Sequence, residues 1–420
     1  MTTAVPSDLA TVNLSDHALW REHPPHEIFA RLRAERPVHW SPLSQFPHEA
    51  GFWSIVRHAD IREISLDFAT YSSERGGVVL VDDIGAPLDL VRMQPIAMDP
   101  PRHDRVKQLF QQAFTPKRIA AHAEAIRLIV DSALDDVAER GDCCLVTDVG
   151  AHVTSRVIGS LLGTPPEDDP QLVEWSNMVV GFEDTDMRPD FAQLMPELGR
   201  AFEYVLPQVQ QRRANPTDDL VSALAHAEID GESFTDEEMV LTFGLLMAAG
   251  NDSTRAVYGS SMLALIDNPD QRQLLIDNPD LIDDAVEECL RCFPAFAYMR
   301  RTATRDVELH GQTIREGDKL ALWYVSSNRD ETVYDDPERF DITRGRVQHQ
   351  AFGAGGRHFC LGAALARLEL KIMLQRTLAR LPDMRLAGRP VRAHSLFLNQ
   401  HKSIPVSFTP SAPMKEFDNF

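Results

Sequence analysis

Apolar positions recur at helical spacing in the middle of the chain and predict one long helix. The run opens with Thr235 and Glu238, which have the spacing of a capping box. Apolar residues then continue past Met247 and end at Asn268-Pro269, where a new helix is expected to begin. At 1.5 Å per residue such a helix is about 50 Å long, enough to cross a whole domain.

Segments with a strand pattern are short and confined to a few places. Residues 38–40 and 52–56 predict two strands, and residues 307–314 predict a small hairpin. The sequence Ile-Asp-Asn-Pro-Asp occurs at 266–270 and again at 276–280, which predicts two successive helix starts. Most other segments have helical periodicity, so the pattern predicts a mainly α-helical chain with small β-sheets, an α+β fold.

Composition indicates a globular protein and excludes some partners. The 420 residues are 43% hydrophobic and 25% charged, enough to bury a large core, and length alone suggests two or three domains. A formal net charge of −21 argues against nucleic acid and anionic lipid as partners. Near the N-terminus, charged residues such as Asp8, Asp16 and Arg21 interrupt any apolar run that approaches the ~20 residues needed to span a bilayer. We therefore expect no membrane anchor and a cytoplasmic location.

One cysteine stands in a context that favours its thiolate form. Cys360 follows the run Phe-Gly-Ala-Gly-Gly-Arg-His-Phe at 352–359 and precedes a helical pattern at 361–370. The glycines let the backbone approach a flat group, while a helix start and the cations Arg357 and His358 favour negative charge on sulfur. Such a sulfur is either a nucleophile or a metal ligand.

The spacing around Cys360 favours a ligand. A phosphate-binding cysteine loop of the tyrosine-phosphatase type needs an arginine six positions after the sulfur, whereas Arg367 comes seven positions after it. A small buried hydrophobe at a turn would leave the glycines and cations unexplained. A thiolate that binds haem iron explains all of them. The run resembles the cysteine loop of the cytochrome P450 superfamily, with His358 two before the cysteine and Leu361-Gly362 after it.

Two further segments match the superfamily in the expected order. Residues Glu288 to Arg291 resemble its Glu-x-x-Arg motif, and 336–340 resembles the segment that supplies the third member of that ion-pair cluster, Arg339. On a helix Glu288 and Arg291 share one face, and from spacing alone they form an ordinary surface pair worth only a few tenths of a kcal/mol.

Residues 249–254, Ala-Gly-Asn-Asp-Ser-Thr, resemble the oxygen-activation segment of the family's central helix. Asp252 and Ser253 are locally unfavourable in mid-helix, because both side chains compete for backbone hydrogen bonds. A helix bend is one explanation, but beside a thiolate loop proton transfer is the better one. Ser253 aligns with the family's usual threonine and Thr254 follows it, so the sequence leaves open which hydroxyl faces the oxygen.

The resemblance implies haem b, iron protoporphyrin IX, with Cys360 as the axial ligand of iron and no flavin or iron–sulfur cluster in this chain. Cations at matching positions are expected to hold the two propionates, namely His103, Lys107, Arg301 and His358. Lys107 stands where an arginine is common, so it keeps the charge but lacks the bidentate fork. Further haem contacts are implied for Phe352, Gly353, Gly362, Ala249 and Gly250.

The resemblance covers roughly residues 20–408 and implies one cytochrome P450 domain over 1–420, with a long central helix over the haem. Residues 1–20 are expected to be a loose N-terminal segment and 409–420 a C-terminal tail. The cysteine loop is one residue longer than the common form, with Phe352 eight positions before the cysteine. This length resembles the loop of bacterial sterol and methyl-branched lipid hydroxylases.

The implied function is a monooxygenase that uses O₂ to hydroxylate an unactivated C–H bond of an apolar terpenoid, sterol or methyl-branched lipid. Electrons would come from an acidic ferredoxin with an NAD(P)H-dependent reductase. The ferredoxin would dock on cations around the cysteine: Arg102, Arg105, Lys107, Lys117, Arg118, Arg357 and Arg367. A peroxygenase of the same fold is one alternative. A haem-binding sensor or carrier is another, which would keep Cys360 but need neither Asp252 nor Ser253.

Apolar residues in four segments are expected to cover the substrate pocket, at 78–81, 175–195, 296–299 and 396–398. The remaining cysteines include a Cys-x-x-Cys at Cys289 and Cys292. Because these two interleave with the Glu-x-x-Arg motif on one predicted helix, we expect packing rather than redox or zinc chemistry.

Overall fold

The computed structural model describes residues 8–413 except 45, 47, 83–86, 188–190 and 230. Its α-helices are α1 (His26–Glu35), α2 (His58–Leu66), α3 (Leu88–Val91), α4 (Arg102–Ala113), α5 (Pro116–Ala121), α6 (Ala123–Ala138), α7 (Ala151–Leu162), α8 (Asp169–Val180), α9 (Phe191–Ala214), α10 (Leu220–Ala225), α11 (Asp236–Asp267), α12 (Pro269–Asp277), α13 (Ile282–Cys292), α14 (Tyr324–Ser327) and α15 (Ala363–Arg380).

Its strands are β1 (Val38–Ser41), β2 (Phe52–Ile55), β3 (Tyr71–Ser72), β4 (Asp142–Cys144), β5 (Glu228–Ile229), β6 (Glu232–Ser233), β7 (Tyr298–Ala303), β8 (Val307–Leu309), β9 (Gln312–Ile314), β10 (Lys319–Trp323), β11 (Arg385–Leu386), β12 (Val391–Arg392), β13 (His401–Ser403) and β14 (Pro405–Ser407). The mainly α-helical chain with small β-sheets is therefore confirmed.

The predicted central helix is confirmed as α11, which is 32 residues long. At its start the Thr235 hydroxyl accepts the Glu238 N–H at 3.2 Å, and the Glu238 carboxylate accepts the Thr235 N–H at 3.0 Å. These two bonds satisfy backbone donors that have no partner within the helix. At its end the Asn268 side chain donates to the Ala264 carbonyl at 2.8 Å, and Pro269 begins α12 as predicted.

Helix α11 runs through the main core, where it packs against α7, α8 and α15. The contact with α7 depends on Gly250, because a Cβ there would lie 2.8 Å from the Cδ1 of Ile158. One residue further on, the Asn251 side chain accepts a hydrogen bond from the Thr154 hydroxyl at 2.7 Å. Close packing and a buried polar bond therefore fix α11 against α7.

A five-stranded sheet lies beside the helices in the order β1-β2-β10-β7-β3. Strands β2 and β10 are parallel, and the other neighbours are antiparallel. The predicted strands at 38–40 and 52–56 pair as β1 and β2, and the predicted hairpin is formed by β8 and β9. Every residue of β10 is buried, so this strand forms the centre of the sheet.

The described part of the N-terminal segment is packed, which differs from the loose segment expected from the sequence. Leu14 and Trp20 are buried, and the Trp20 indole donates to the Leu14 carbonyl at 3.0 Å and stacks on Trp323 with ring centroids 5.0 Å apart. Burial of apolar side chains outweighs the local polar composition of residues 8–20. Residues 1–7 and 414–420 lie outside the described residues.

Candidate active site

The cysteine loop closes on itself and then enters a helix. The Cys360 N–H donates to the Phe352 carbonyl at 2.9 Å. Gly353 has a φ of 88° and Gly356 one of 76°, a conformation that side chains with a Cβ rarely adopt. At Gly356 a Cβ would also lie 2.2 Å from the carbonyl oxygen of Ser65. Glycine is therefore required for the shape of this loop.

The Cys360 side chain opens into a cavity inside the protein. Burial raises the pKa of the thiol, and the Gly362 N–H together with the charges of Lys107 and Arg367 opposes that rise. Helix α15 begins three residues later, so the sulfur lies close to the N-terminus of that helix. A positively charged group bound to the sulfur would favour the thiolate form in these surroundings.

The cavity lies between the cysteine loop and α11 and occupies about 1640 Å³, including the part open to solvent. Its α11 wall is one stripe at helical spacing, formed by Thr242, Leu245, Leu246, Ala249, Gly250, Ser253, Thr254 and Val257. Apolar side chains from other elements also line the cavity, among them Val78, Pro95, Ile96, Phe110, Ala295, Phe296 and Met299.

The four segments expected to cover the pocket lie in different places. Val78, Phe296 and Met299 line the cavity, and Phe397 packs behind Phe296 with ring centroids 4.9 Å apart. Met178 instead lines a second cavity. The side chains of Phe191 and Met195, which belong to the same prediction, lie outside the described residues.

The four predicted propionate contacts meet on the cavity wall. His103, Lys107, Arg301 and His358 all line it, and the rings of His103 and His358 are 4.2 Å apart. Burial, followed by the charges of Arg301, His103 and Lys107, lowers the pKa of His358 to about 2. The Nε2 atom of His358 is buried and has no hydrogen-bond partner among the described residues.

Lys107 also supports the cysteine loop. Its ammonium donates to the backbone carbonyls of Arg357 and Phe359, the second at 2.7 Å. The other predicted cofactor contacts, Phe352, Gly353, Gly362, Ala249 and Gly250, line the cavity too. Phe352 carries the guanidinium of Arg367 over its ring, 4.6 Å from the centroid.

The three predicted proton-transfer residues face two directions. Ser253 and Thr254 line the cavity, and the Ser253 hydroxyl donates to the Ala249 carbonyl at 2.6 Å. Asp252 is fully buried towards α8, where its carboxylate accepts bonds from the Ser176 hydroxyl and from Arg255. The acid and the alcohols are therefore adjacent in sequence but lie on different sides of α11.

Arg255 connects Asp252 to the second cavity, on the side of α11 that faces α8 and β13. Its guanidinium also donates to the Asn177 side chain at 2.7 Å. Burial lowers the pKa of Arg255 to about 10. Polar residues dominate the lining of this second cavity, and they include Glu174, Asn177, Asp186, Gln400, His401 and Lys402.

The Glu-x-x-Arg pair is fully buried, which corrects its interpretation as a surface pair. Arg291 donates to both carboxylate oxygens of Glu288, at 2.7 and 2.8 Å, and to backbone carbonyls of the loop that follows α14. The prediction that Arg339 is the third member of this ion-pair cluster is wrong. The Arg339 side chain is 61% exposed and lies 3.8 Å from Asp341. Arg344 takes that place, with its Nε 3.2 Å from Glu288.

Most cations of the predicted docking cluster have partners within the protein. Arg102 pairs with Glu238, Arg357 with Asp104 and Arg367 with Glu287. Lys117 and Arg118 are exposed on α5, which packs against α15. The positive face available to a partner is therefore narrower than the sequence indicated.

The structure adds site residues that motif reasoning did not identify. Thr242 could have been found by extending the periodicity back from Ser253 through Ala249 and Leu246. Glu369 lines the cavity and is buried, which raises the pKa of its carboxyl to about 8. Cys289 and Cys292 are buried free thiols whose pKa values burial raises, as expected for packing residues.

No helix in the described part of the chain is both long and apolar enough to cross a membrane.

Comparison with known proteins identifies the family. The family model described as Cytochrome P450 matches residues 94–382. The linalool 8-monooxygenase of Pseudomonas putida is 34% identical over 95% of this chain and 99% of its own. The methyl-branched lipid omega-hydroxylase of Mycobacterium tuberculosis is 34% identical over 91% of this chain and 90% of its own.

Solved structures agree in fold. A Mycobacterium marinum cytochrome P450 in complex with pseudoionone superposes with a TM-score of 0.88 at 33% identity, and the match covers 96% of this chain and 99% of that one. The domain therefore has the cytochrome P450 fold, with a haem cofactor at the level of the family. The chain belongs to the cytochrome P450 family and is a haem monooxygenase.

Proposed function

We propose that this chain binds haem b and hydroxylates an unactivated C–H bond of a terpenoid, sterol or methyl-branched lipid, with O₂ and electrons from a separate redox partner. The observation that carries the proposal is the position of Cys360, whose sulfur faces an apolar cavity closed on the other side by the α11 stripe. Haem bound there supplies oxygen activation and oxygen transfer.

The residues around the cavity fit haem. Cys360 offers a single soft ligand, and Gly353 leaves room for a flat macrocycle beside the loop. His103, Lys107, Arg301 and His358 would hold the two propionates. The unpartnered Nε2 of His358 supports this assignment, because a buried polar atom without a partner is unfavourable unless a bound group satisfies it.

Ser253 and Thr254 would hold and transfer protons at the cavity wall. Asp252 would act from the other side of α11, where its carboxylate accepts hydrogen bonds from Ser176 and Arg255. For Asp252 to exchange a proton with the cavity side, one of these bonds must open. Arg255 is therefore a positioning residue for the acid.

The apolar wall supports a hydrophobic substrate. Burial contributes roughly 25 cal/mol per Å² of apolar surface, so the cavity can bind a hydrocarbon body without a charged anchor. Relatives are named for linalool, methyl-branched lipids and the C26 position of steroids. These names support the substrate class and hydroxylation at or near a chain terminus.

We assign electron delivery to an acidic ferredoxin with an NAD(P)H-dependent reductase. Lys117 and Arg118 are exposed on α5, which packs against α15, the helix that follows the ligand cysteine. A small positive face suits a transient acidic partner.

The test is the carbon monoxide spectrum of the reduced protein together with turnover. Cys360→Ser should lose the red-shifted thiolate band, whereas the matched control Cys292→Ser should keep it. Retention of that band by Cys360→Ser would refute the ligand assignment. Product formation with O₂ and a reductase system supports the monooxygenase, product only with added peroxide indicates a peroxygenase, and binding without turnover indicates a sensor or carrier.

A further inference from the structure

The α11 stripe carries hydroxyl groups at two places, about three helical turns apart, with apolar groups between them. Ser253 and Thr254 lie at the end we assign to oxygen activation, and Thr242 lies at the other. The stripe residues between them are Leu245, Leu246, Ala249 and Gly250. Thr242 is therefore a polar group at the substrate end of an otherwise apolar wall.

The Thr242 hydroxyl is buried and has no hydrogen-bond partner among the described residues. A helical threonine or serine normally satisfies its hydroxyl on the carbonyl four residues earlier. On the same helix, the Ser261 hydroxyl donates to the Val257 carbonyl in this way at 2.6 Å, and the Ser253 hydroxyl donates to the Ala249 carbonyl at 2.6 Å. The Thr242 hydroxyl does not bond the carbonyl four residues before it. It therefore stays available for a group bound in the cavity.

The side chain can reach such a group without moving the helix. Helical threonine populates two χ1 rotamers, which exchange the positions of its methyl and hydroxyl groups. One rotamer buries the hydroxyl among protein atoms, and the other turns it to the position of the methyl. A ligand oxygen that accepts or donates a hydrogen bond would select the second rotamer, because it removes an unsatisfied buried group.

We propose that Thr242 determines specificity by hydrogen-bonding one uncharged oxygen of the substrate, a hydroxyl or a ketone, at the end remote from the hydroxylated carbon. This inference rests on the proposed function and narrows its substrate class. At 1.5 Å per residue, Thr242 lies about 10 Å from Ala249 and about 16 Å from Ser253 along the helix. The substrate oxygen and the hydroxylated carbon are separated by a distance in this range.

The charges on the cavity wall indicate that the substrate oxygen is neutral. The basic side chains on the described wall are His103, Lys107, Arg301 and His358, all of which we assign to the haem. A free carboxylate bound beside Thr242 would have no remaining cation to pair with, and an unpaired buried charge is strongly unfavourable. An alcohol or ketone of a terpenoid or sterol fits, and a free fatty acid does not.

The test compares three probes of one shape: farnesol, the hydrocarbon that lacks its oxygen, and farnesoic acid. Dissociation constants are measured by the haem absorption shift and, independently, by the rise in unfolding temperature. The wild-type protein should bind farnesol about 5- to 10-fold more tightly than the hydrocarbon, and the acid more weakly than farnesol. Thr242→Val, which keeps the shape, should bind farnesol no more tightly than the hydrocarbon, because the farnesol hydroxyl would then be buried without a partner. Thr242→Ser, which keeps the hydroxyl, should retain the preference.

Two outcomes separate this inference from the proposed function. Retention of the farnesol preference in Thr242→Val would overturn the role of Thr242 and leave the monooxygenase proposal intact. A wild-type protein that shows the thiolate spectrum but binds none of the three probes would refute the substrate class, and the inference with it.

Discussion

At the scale of single residues, the direction of the side chain distinguishes Asp252 from Ser253 and Thr254. The two alcohols reach the cavity wall, whereas the acid is held behind the helix by Ser176 and Arg255. In the proposed reaction, proton supply would therefore depend on bonds on both sides of α11.

Ser253→Ala should uncouple electron consumption from product formation. Without the alcohol, the two electrons from NAD(P)H would reduce O₂ to hydrogen peroxide instead of supporting hydroxylation, and we expect product per NAD(P)H to fall by about 10-fold or more. Substrate binding should remain unchanged. The measurement is product and peroxide yield per reduced cofactor, with Thr254→Val as the matched variant. If only Thr254→Val uncouples the reaction, the proton-transfer role belongs to Thr254.

Residue spacing predicted which side chains share a helix face but not what covers that face. Glu288 and Arg291 were correctly placed together, yet their complete burial depends on a loop more than 35 residues away in sequence. Arg339 and Arg344 lie on that loop, and its backbone path decides that Arg344 reaches Glu288. No periodic pattern encodes such a path.

At the scale of elements, the ion-pair cluster of Glu288, Arg291 and Arg344 connects α13 to the loop at 336–344. Arg344→Met should destabilise the protein by about 2 to 4 kcal/mol, because it leaves the buried Glu288 carboxylate with fewer partners. Arg339→Met is the matched control and should stay within about 0.5 kcal/mol of the wild type, since that side chain is exposed. Urea unfolding of the haem-loaded protein measures both. Equal losses would contradict the assignment of Arg344.

Glu287 links α13 to α15 through its ion pair with Arg367, and it should make the free energy of unfolding depend on pH. Burial by itself would raise the pKa of Glu287, but hydrogen bonds from His349 and Arg367 lower it to about 2, from the usual 4.5 of a glutamate. A lowered carboxyl pKa adds stability that is fully present above the unfolded value and is lost as pH falls from about 4.5 towards 2.

In Glu287→Gln this contribution is absent at every pH. The stability difference between wild type and variant should therefore be largest above about pH 5.5 and smaller by about 1 kcal/mol at pH 4. Urea midpoints measured between pH 6.5 and pH 4 test the expectation. Parallel pH curves for the two proteins would show that the ion pair with Arg367 does not hold the carboxyl ionised.

The elements were more predictable than their contacts. Capping residues and helical periodicity located α11 because both signals are local. The packing of residues 8–20 was missed, since the stacking of Trp20 on Trp323 joins positions about 300 residues apart. Similarly, the partners of Arg102 and Arg357 appear only when helix starts and loops meet in space.

At the scale of the whole molecule, the chain is strongly acidic, with a formal charge of −21, and the electron donor that we propose is acidic too. A local positive face can do this, because charges beyond a Debye length of about 8 Å are screened at physiological salt. Lys117 and Arg118 on α5 provide such a face beside α15.

The double variant Lys117→Glu, Arg118→Glu should slow reduction by an acidic ferredoxin about 10-fold at low salt and much less at high salt. Stopped-flow reduction under carbon monoxide measures the rate. Arg315→Glu, which reverses the charge of an exposed cation that directly follows β9, serves as control. A rate that does not depend on salt or on the double variant would place docking elsewhere.

Because Thr242 and Ser253 belong to one helix, α11 fixes the distance between the hydroxyl that binds the substrate oxygen and the site of hydroxylation. This distance can change only in steps of about one helical turn, 5.4 Å, when the hydroxyl is moved to another position on the stripe. Transferring the hydroxyl one turn, in a Thr242→Val, Leu246→Thr double variant, should shift hydroxylation by about 6 Å along an extended substrate or select a shorter one. Regiochemistry would then be a property that can be adjusted in steps.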